Sequence, residues 1–248
     1  MSTIFSPNRS KDLPEDLEIE LDGKYYPIRV RRSAKARSIS LSADPVKGEV
    51  RISLPRQGSI REALHFTRSK TEWLVERFDE MPAPIAIENG AIMPFRGNDY
   101  RVAWSSDYKR KPEIVDDEIR VGGPENRVSD RVISWMKAQA RETYETDLSE
   151  YCERAGSKNP KLSIGDARRR WGSCSGNHSI RLNWRLIMAP PVVRRSVVAH
   201  EVAHLEHMNH SKAFYAHLDS VFEGDRKAAD RWLKTHGNNL HLIGANRN

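Results

Sequence analysis

Residues 197–211 read Val197-Val198-Ala199-His200-Glu201-Val202-Ala203-His204-Leu205-Glu206-His207-Met208-Asn209-His210-Ser211. Histidines at i and i+4 stand one turn apart on the same helix face. Their imidazoles can reach one ion at about 2.0–2.1 Å, the usual zinc–nitrogen distance. Glu201 lies about 100° round the helix. It is badly placed to bind that ion but well placed to take a proton from a water on it. Zinc would lower the pKa of such a water towards about 7 and polarise a substrate carbonyl. Val198, Val202 and Leu205 lie opposite the histidines and would anchor the helix in a core.

A catalytic zinc needs a third protein ligand and an open position. Four residues compete for the role. His207 shares the face but lies about 10.5 Å along the axis from His200, at 1.5 Å per residue, and three ligands along one rod cannot surround an ion. His210 follows Asn209, a residue that tolerates the left-handed conformation reversing a chain at a helix end. A reversal there would present His210 from a new direction. Glu223, on a downstream helix, and His217 remain as alternatives.

Near this segment, Arg168-Arg169-Arg170 precedes Trp171 and Ser173-Cys174-Ser175. Arg170, Trp171 and Ser173 could contact substrate or an anion beside the metal. Equally, Arg170 could form a structural ion pair and Trp171 could belong to the core. Cys174 reads as a buried free thiol, with a metal-ligand role as the alternative. Tyr215 and His217 could donate to a tetrahedral intermediate. Asn183 could hold a turn or orient a ligand histidine.

The elements that must position these groups are readable in outline. Residues 1–15 look like a disordered tail. Leu17, Ile19 and Leu21 alternate with polar residues, and Asp22-Gly23 is a hairpin turn pair leading to Ile28 and Val30. Further strands are expected around Ile39–Leu41, Val50–Leu54, Tyr100–Trp104 and Glu118–Val121. Ser59 can cap a helix over 60–80. Gly122-Gly123-Pro124 is the best candidate for a boundary. Beyond it, Ser129 can cap a long helix over 130–155, ended by Gly156. Strands follow at 161–168 and 179–187, with a loop over Trp171–Asn177. Pro190-Pro191 opens the histidine helix. Two last helices span 211–222 and 225–236, with Gly237 as a stop. The division predicted is a tail over 1–15, a β-rich region over 16–123 with one helix, and a catalytic region over 124–248.

Ordered from Arg170 to Phe214, the chain carries Arg170-Trp171-Gly172-Ser173-Cys174-Ser175, Ile180-Arg181-Leu182-Asn183-Trp184-Arg185-Leu186, Ala189-Pro190, His200 to Leu205, Asn209-His210-Ser211 and Phe214. In these residues it resembles the YgjP-like metallopeptidases, relatives of the WLM and SprT-like zincins. A weaker likeness covers about 35–80, including Lys70-Thr71-Glu72-Trp73. The resemblance implies a zinc held by His200, His204 and His210 with Glu201 as base. It also implies a small zincin fold in which a helix and an edge strand flank the metal helix. The broader metzincin pattern HExxHxxGxxH is not met, since its glycine position is His207.

Composition narrows the setting. In 248 residues, 38% are apolar, enough for a core, and 30% are charged. No apolar run approaches the roughly 18 residues of a membrane span, and the N-terminus shows no signal-peptide pattern. A cytoplasmic protein without a membrane partner is expected. Two cysteines without CxxC spacing exclude a disulfide framework and an all-cysteine zinc site. The net charge of +7 suits solubility, and also a nucleotide or nucleic-acid partner. The expectation is an α+β protein in which an N-terminal β-rich region precedes a small zincin-like HExxH domain. One zinc, or another divalent ion, would serve hydrolysis of a peptide or protein. A metal-dependent nucleotide phosphohydrolase and a nucleic-acid-binding protein with a structural metal are the alternatives.

Overall fold

The computed structural model describes residues 17–44, 47–79 and 84–244. The tail expected over 1–15 lies outside them. The described residues form two compact units, 17–79 and 84–244, each with its own buried cluster.

In the first unit, β1 (Glu18–Leu21) and β2 (Lys24–Ser33) form a hairpin. Asp22 and Gly23 take φ values of +47° and +72°, the primed-turn geometry that matches strand twist. β3 (Ser40–Asp44) runs antiparallel to β4 (Glu49–Pro55), and β4 runs parallel to β2, giving the order β1-β2-β4-β3. Period-two alternation places Ile19, Leu21, Val50, Ile52 and Leu54 on the buried face. The single helix expected over 60–80 is two, α1 (Ile60–Arg68) and α2 (Thr71–Asp79). The hydroxyls of Ser69 and Thr71 donate to the Phe66 and Arg68 carbonyls. They offer the backbone an alternative to continuing the helix. Ser59 does cap α1, accepting from the Glu62 N–H.

In the second unit, β5 (Ile92–Phe95), β6 (Asn98–Trp104), β7 (Glu113–Val115) and β8 (Glu118–Val121) form a sheet of order β5-β6-β8-β7. Its connectivity repeats that of the first sheet, although the sequence shows no repeat. Val102, Ile119 and Val121 share one buried cluster with Val128, Val132 and Trp135 of α3 (Val128–Arg154). The boundary expected at Gly122–Pro124 therefore lies inside this unit. α3 starts from a 3-10 turn at Glu125–Arg127, without the side-chain cap expected from Ser129. Gly156, at φ +64°, follows its end.

The third sheet has the order β10-β11-β9, with β9 (Lys161–Gly165) parallel and β10 (Gly172–Ser175) antiparallel to the central β11 (Ser179–Asn183). The edge strand β10 occupies the segment expected to be a loop. β11 stops at Asn183 because its side chain accepts from the Arg185 N–H and starts a 3-10 turn over Trp184–Ile187. The helices α4 (Pro191–Ala203), α5 (Lys212–Val221) and α6 (Arg226–Leu240) complete the α+β unit. Gly237 does not stop α6. It lies buried inside the helix, where an added Cβ would come within 2.8 Å of the Trp171 ring. No helix of the described residues is long and apolar enough to cross a membrane.

Candidate metal centre

α4 is fixed in rotation by charges rather than by apolar packing alone. Arg194 donates to Asp147 of α3 at 2.7 Å, with both side chains buried. Arg195 reaches both oxygens of Glu150 at 2.7 Å. Breaking such a buried pair leaves an uncompensated charge, so this lock sets which face of α4 meets the core. Val193, Val198 and Val202 take the buried side. The helix ends at Ala203, with His204 as its C-terminal cap.

His200, His204 and His210 come together. One ligand atom from each lies within 4.8 Å of the others, and Nε2 of His210 is 3.1 Å from Nε2 of His200. The chain reverses through backbone bonds, Leu205 N–H to Val202 and His207 N–H to Ala203. Asn209 is not among the described residues of positive φ, so the left-handed turn expected there is absent. Instead Ser211 caps α5, accepting from the Phe214 N–H at 3.3 Å. Phe214 is fully buried, and its ring lies 5.0, 4.5 and 4.8 Å from the rings of His200, His204 and His210. This short cap holds His210 opposite α4.

The donor set fits a zinc-type ion. A tetrahedral centre with nitrogen ligands at about 2.0–2.1 Å sets them roughly 3.3 Å apart, close to the 3.1 Å between His200 and His210, with all three atoms within 4.8 Å. The His204 Nδ1 lies 2.9 Å from the His207 carbonyl. A proton on Nδ1 donates there and leaves Nε2 with a free lone pair. Burial, then the charges of His204 and His210, push the His200 imidazole down to about 4. It is neutral at pH 7, the form that binds metal.

Glu201 projects to the flank of the histidines and packs on β10. An added Cβ at Gly172 would lie 2.4 Å from its Oε1. The Glu201 side chain is buried, and burial raises its carboxyl to about 7 against the opposing pull of Arg170 and the Cys174 N–H.

The family model for the YgjP-like metallopeptidase domain matches residues 37–236. The chain belongs to the YgjP-like family. No relative is found among curated proteins. Among solved structures, the crystal structure of the metallopeptidase zymogen of Pyrococcus abyssi abylysin is similar at 24% identity and a TM-score of 0.34, over 37% of this chain and 93% of that one.

The remaining candidates of this YgjP-like chain divide by position. Glu223 is bonded to Arg195, Arg154 and the Tyr151 hydroxyl. Burial would raise its carboxyl, but its own backbone N–H, Arg195 and Tyr151 hold it down to about 2. It belongs to the α3–α4 lock. His217 faces Glu206 at 3.6 Å and His207, away from the three histidines. Tyr215 is exposed, with its ring 6.2 Å from that of His210. Trp171 stacks on His241 at 4.9 Å. Cys174 is only partly buried and gives its N–H to Glu201. Asn183 holds a turn, its amide donating to Ala167. Arg170 forms no structural ion pair among the described residues.

Gly172 escaped the reading of side-chain chemistry because it has none. A glycine in a short strand marks a close approach, and here the neighbour is Glu201. Gly172→Ala is expected to displace that carboxylate and lower activity by about tenfold to a hundredfold, with zinc content unchanged. Steady-state kinetics beside elemental analysis checks it. Loss of zinc together with activity would show that the substitution acts on the whole site.

Proposed function

We propose that this chain is a zinc-dependent peptidase in which His200, His204 and His210 hold the metal and Glu201 is the general base. One observation carries the reading: three imidazoles, two from a helix end and one from the residue before the cap of the next helix, converge beside a buried carboxylate of the same helical turn. When bound, zinc supplies a cation that acidifies water and polarises a carbonyl.

The protein's own groups do the rest. Glu201 is a buried carboxylate on the same helical turn as the two helix histidines, and a bound cation would favour its charged form, the state that accepts a proton. Gly172 and the Cys174 N–H fix its position. From the attacking water it takes a proton, which it can then give to the leaving amine. Arg170 places positive charge near the same carboxylate. Peptide or protein is the substrate class that the family supports.

Zinc-loaded protein is expected to cleave an unstructured protein such as casein, and chelator-treated protein to be inactive until zinc returns. Nucleotides belong in the same screen. Release of phosphate or pyrophosphate, dependent on Glu201 and without any peptide cleavage, would replace the peptidase reading.

A further inference from the structure

We infer that a pocket behind β10 recognises a carboxylate of the peptide substrate through Arg170 and Arg181. This deepens the peptidase reading and rests on it. The pocket is a cavity of about 510 Å³ whose walls include Gly165, Asp166, Arg170, Gly172, Ser173 and Arg181. Its link to the chemistry is Gly172, which lines the cavity and is also the residue against which Glu201 packs. Gly172 of the edge strand thus stands between a group bound there and the proposed base.

The charge in the cavity is one-sided. Asp166 is its one acidic wall residue, and both its oxygens are taken by Arg185, at 2.7 and 3.2 Å. Nη1 of Arg185 donates to the Leu240 and Ile243 carbonyls. Burial opposes ionisation of Asp166, but Arg185 holds its carboxyl below the usual carboxylate range. Asp166 is thus a structural anion already spent on a buried guanidinium. Arg181, by contrast, makes no ion pair and no side-chain hydrogen bond among the described residues, and Arg170 makes none either, although its charge also acts on Glu201.

Arg181 is also shaped to be there. It lies opposite Ser173 on β10 and Ser163 on β9, two small neighbours. Its guanidinium crosses Gly165 so closely that an added Cβ would lie 2.3 Å from Nε. Two unpaired guanidinium groups beside a serine hydroxyl form a receptor for a carboxylate, which they can bind by charge-assisted hydrogen bonds. The volume exceeds a single side chain and leaves room for a chain end, or for a side chain with its flanking backbone. A polyanion would need a basic stripe along the surface.

The test uses zinc-loaded Glu201→Gln protein and three labelled peptides of equal length, with an amidated lysine peptide as a fourth for the charge-reversed variant. One carries an internal glutamate and an amidated end, one is neutral with a free C-terminal carboxylate, and one is neutral and amidated. Binding by fluorescence anisotropy, at low salt and at about 150 mM, is expected to favour a carboxylate peptide over the neutral amide by at least about tenfold. Whether the first or second peptide wins identifies side chain or chain end as the source. Adding Arg181→Ala is expected to bring the ratio to about one, and Arg181→Glu to favour a lysine peptide instead. Equal affinities, a preference indifferent to Arg181→Glu, or an oligonucleotide that outcompetes the acidic peptide would overturn the inference. Cleavage of the same peptides by the unsubstituted enzyme separates the two readings. Arg181-dependent binding without any cleavage keeps the pocket and sinks the peptidase. Cleavage without acidic preference does the reverse.

Discussion

Glu201→Gln is expected to keep one zinc per chain and lose about 10²–10⁴-fold in turnover, the range a general base contributes. Glutamine preserves the shape that packs on Gly172 but cannot accept a proton. The same substitution makes a second prediction of opposite sign. In metal-free protein the Glu201 carboxyl is raised from 4.5 to about 7 because burial disfavours its charge. A raised carboxylate pKa means that the folded state binds the proton more tightly than the unfolded chain does. The fold is unaffected by this group below about 4.5, loses stability as pH rises from about 4.5 to about 7, and loses no more above that. Removing the charge removes that loss. Metal-free Glu201→Gln is therefore expected to be more stable than the parent at pH 8, by on the order of 2–3 kcal/mol, and so to unfold at a higher temperature, with the difference gone by pH 4.5. His200, depressed to about 4, makes the opposite contribution between pH 6.5 and 4, but it is common to both proteins and cancels. Thermal denaturation with chelator at several pH values gives the answer. A variant less stable than its parent at pH 8 would show that Glu201 is a satisfied structural anion rather than a strained functional one.

That opposition between stability and chemistry explains what the sequence made legible and what it hid. The pair His200 and His204 is a property of helical periodicity, and periodicity is written locally. So is the alternation that marks β1 and β4. The position of His210 depends on Ser211 capping α5 and on Phe214 filling the space beneath three rings. Asn209 suggested a turn for the wrong reason, since the reversal is made by backbone bonds after Ala203. Strand pairing is less local still. Nothing in the segment 171–177 announces an edge strand, because β10 exists through its register with β11, Gly172 to Leu182 and Ser175 to Ser179. Arg181 reads as one polar position in an alternating strand. Only the pairing that brings Gly165, Ser173 and Arg181 to one cavity gives it a role. The misplaced boundary at Gly122–Pro124 has the same origin. A glycine–proline turn marks a local break in secondary structure, whereas a compact unit is defined by which side chains share a core. β6 and β8 share theirs with α3.

His210→Ala puts the ligand set to a sharper test, with Glu223→Ala as its control. Loss of outer-shell partners alone weakens metal sites by about 10–100-fold. Loss of one of three ligands is expected to exceed 100-fold in zinc affinity and to abolish detectable turnover. The fold should survive, because His210 is exposed and its rings of contact are centred on Phe214. Zinc that binds only the folded state raises the unfolding midpoint by mass action. That shift is expected in the parent and in Glu201→Gln and absent in His210→Ala. Exposure also lets free imidazole enter the vacated place, so added imidazole is expected to restore part of the zinc binding. Glu223→Ala is expected to behave inversely, with full zinc content and a lowered midpoint. Its carboxylate serves Arg195, Arg154 and Tyr151 in the lock between α3 and α4. If Glu223→Ala loses zinc while His210→Ala retains it, the third ligand comes from the connection between α5 and α6. The capping turn at Ser211 would then be architecture alone.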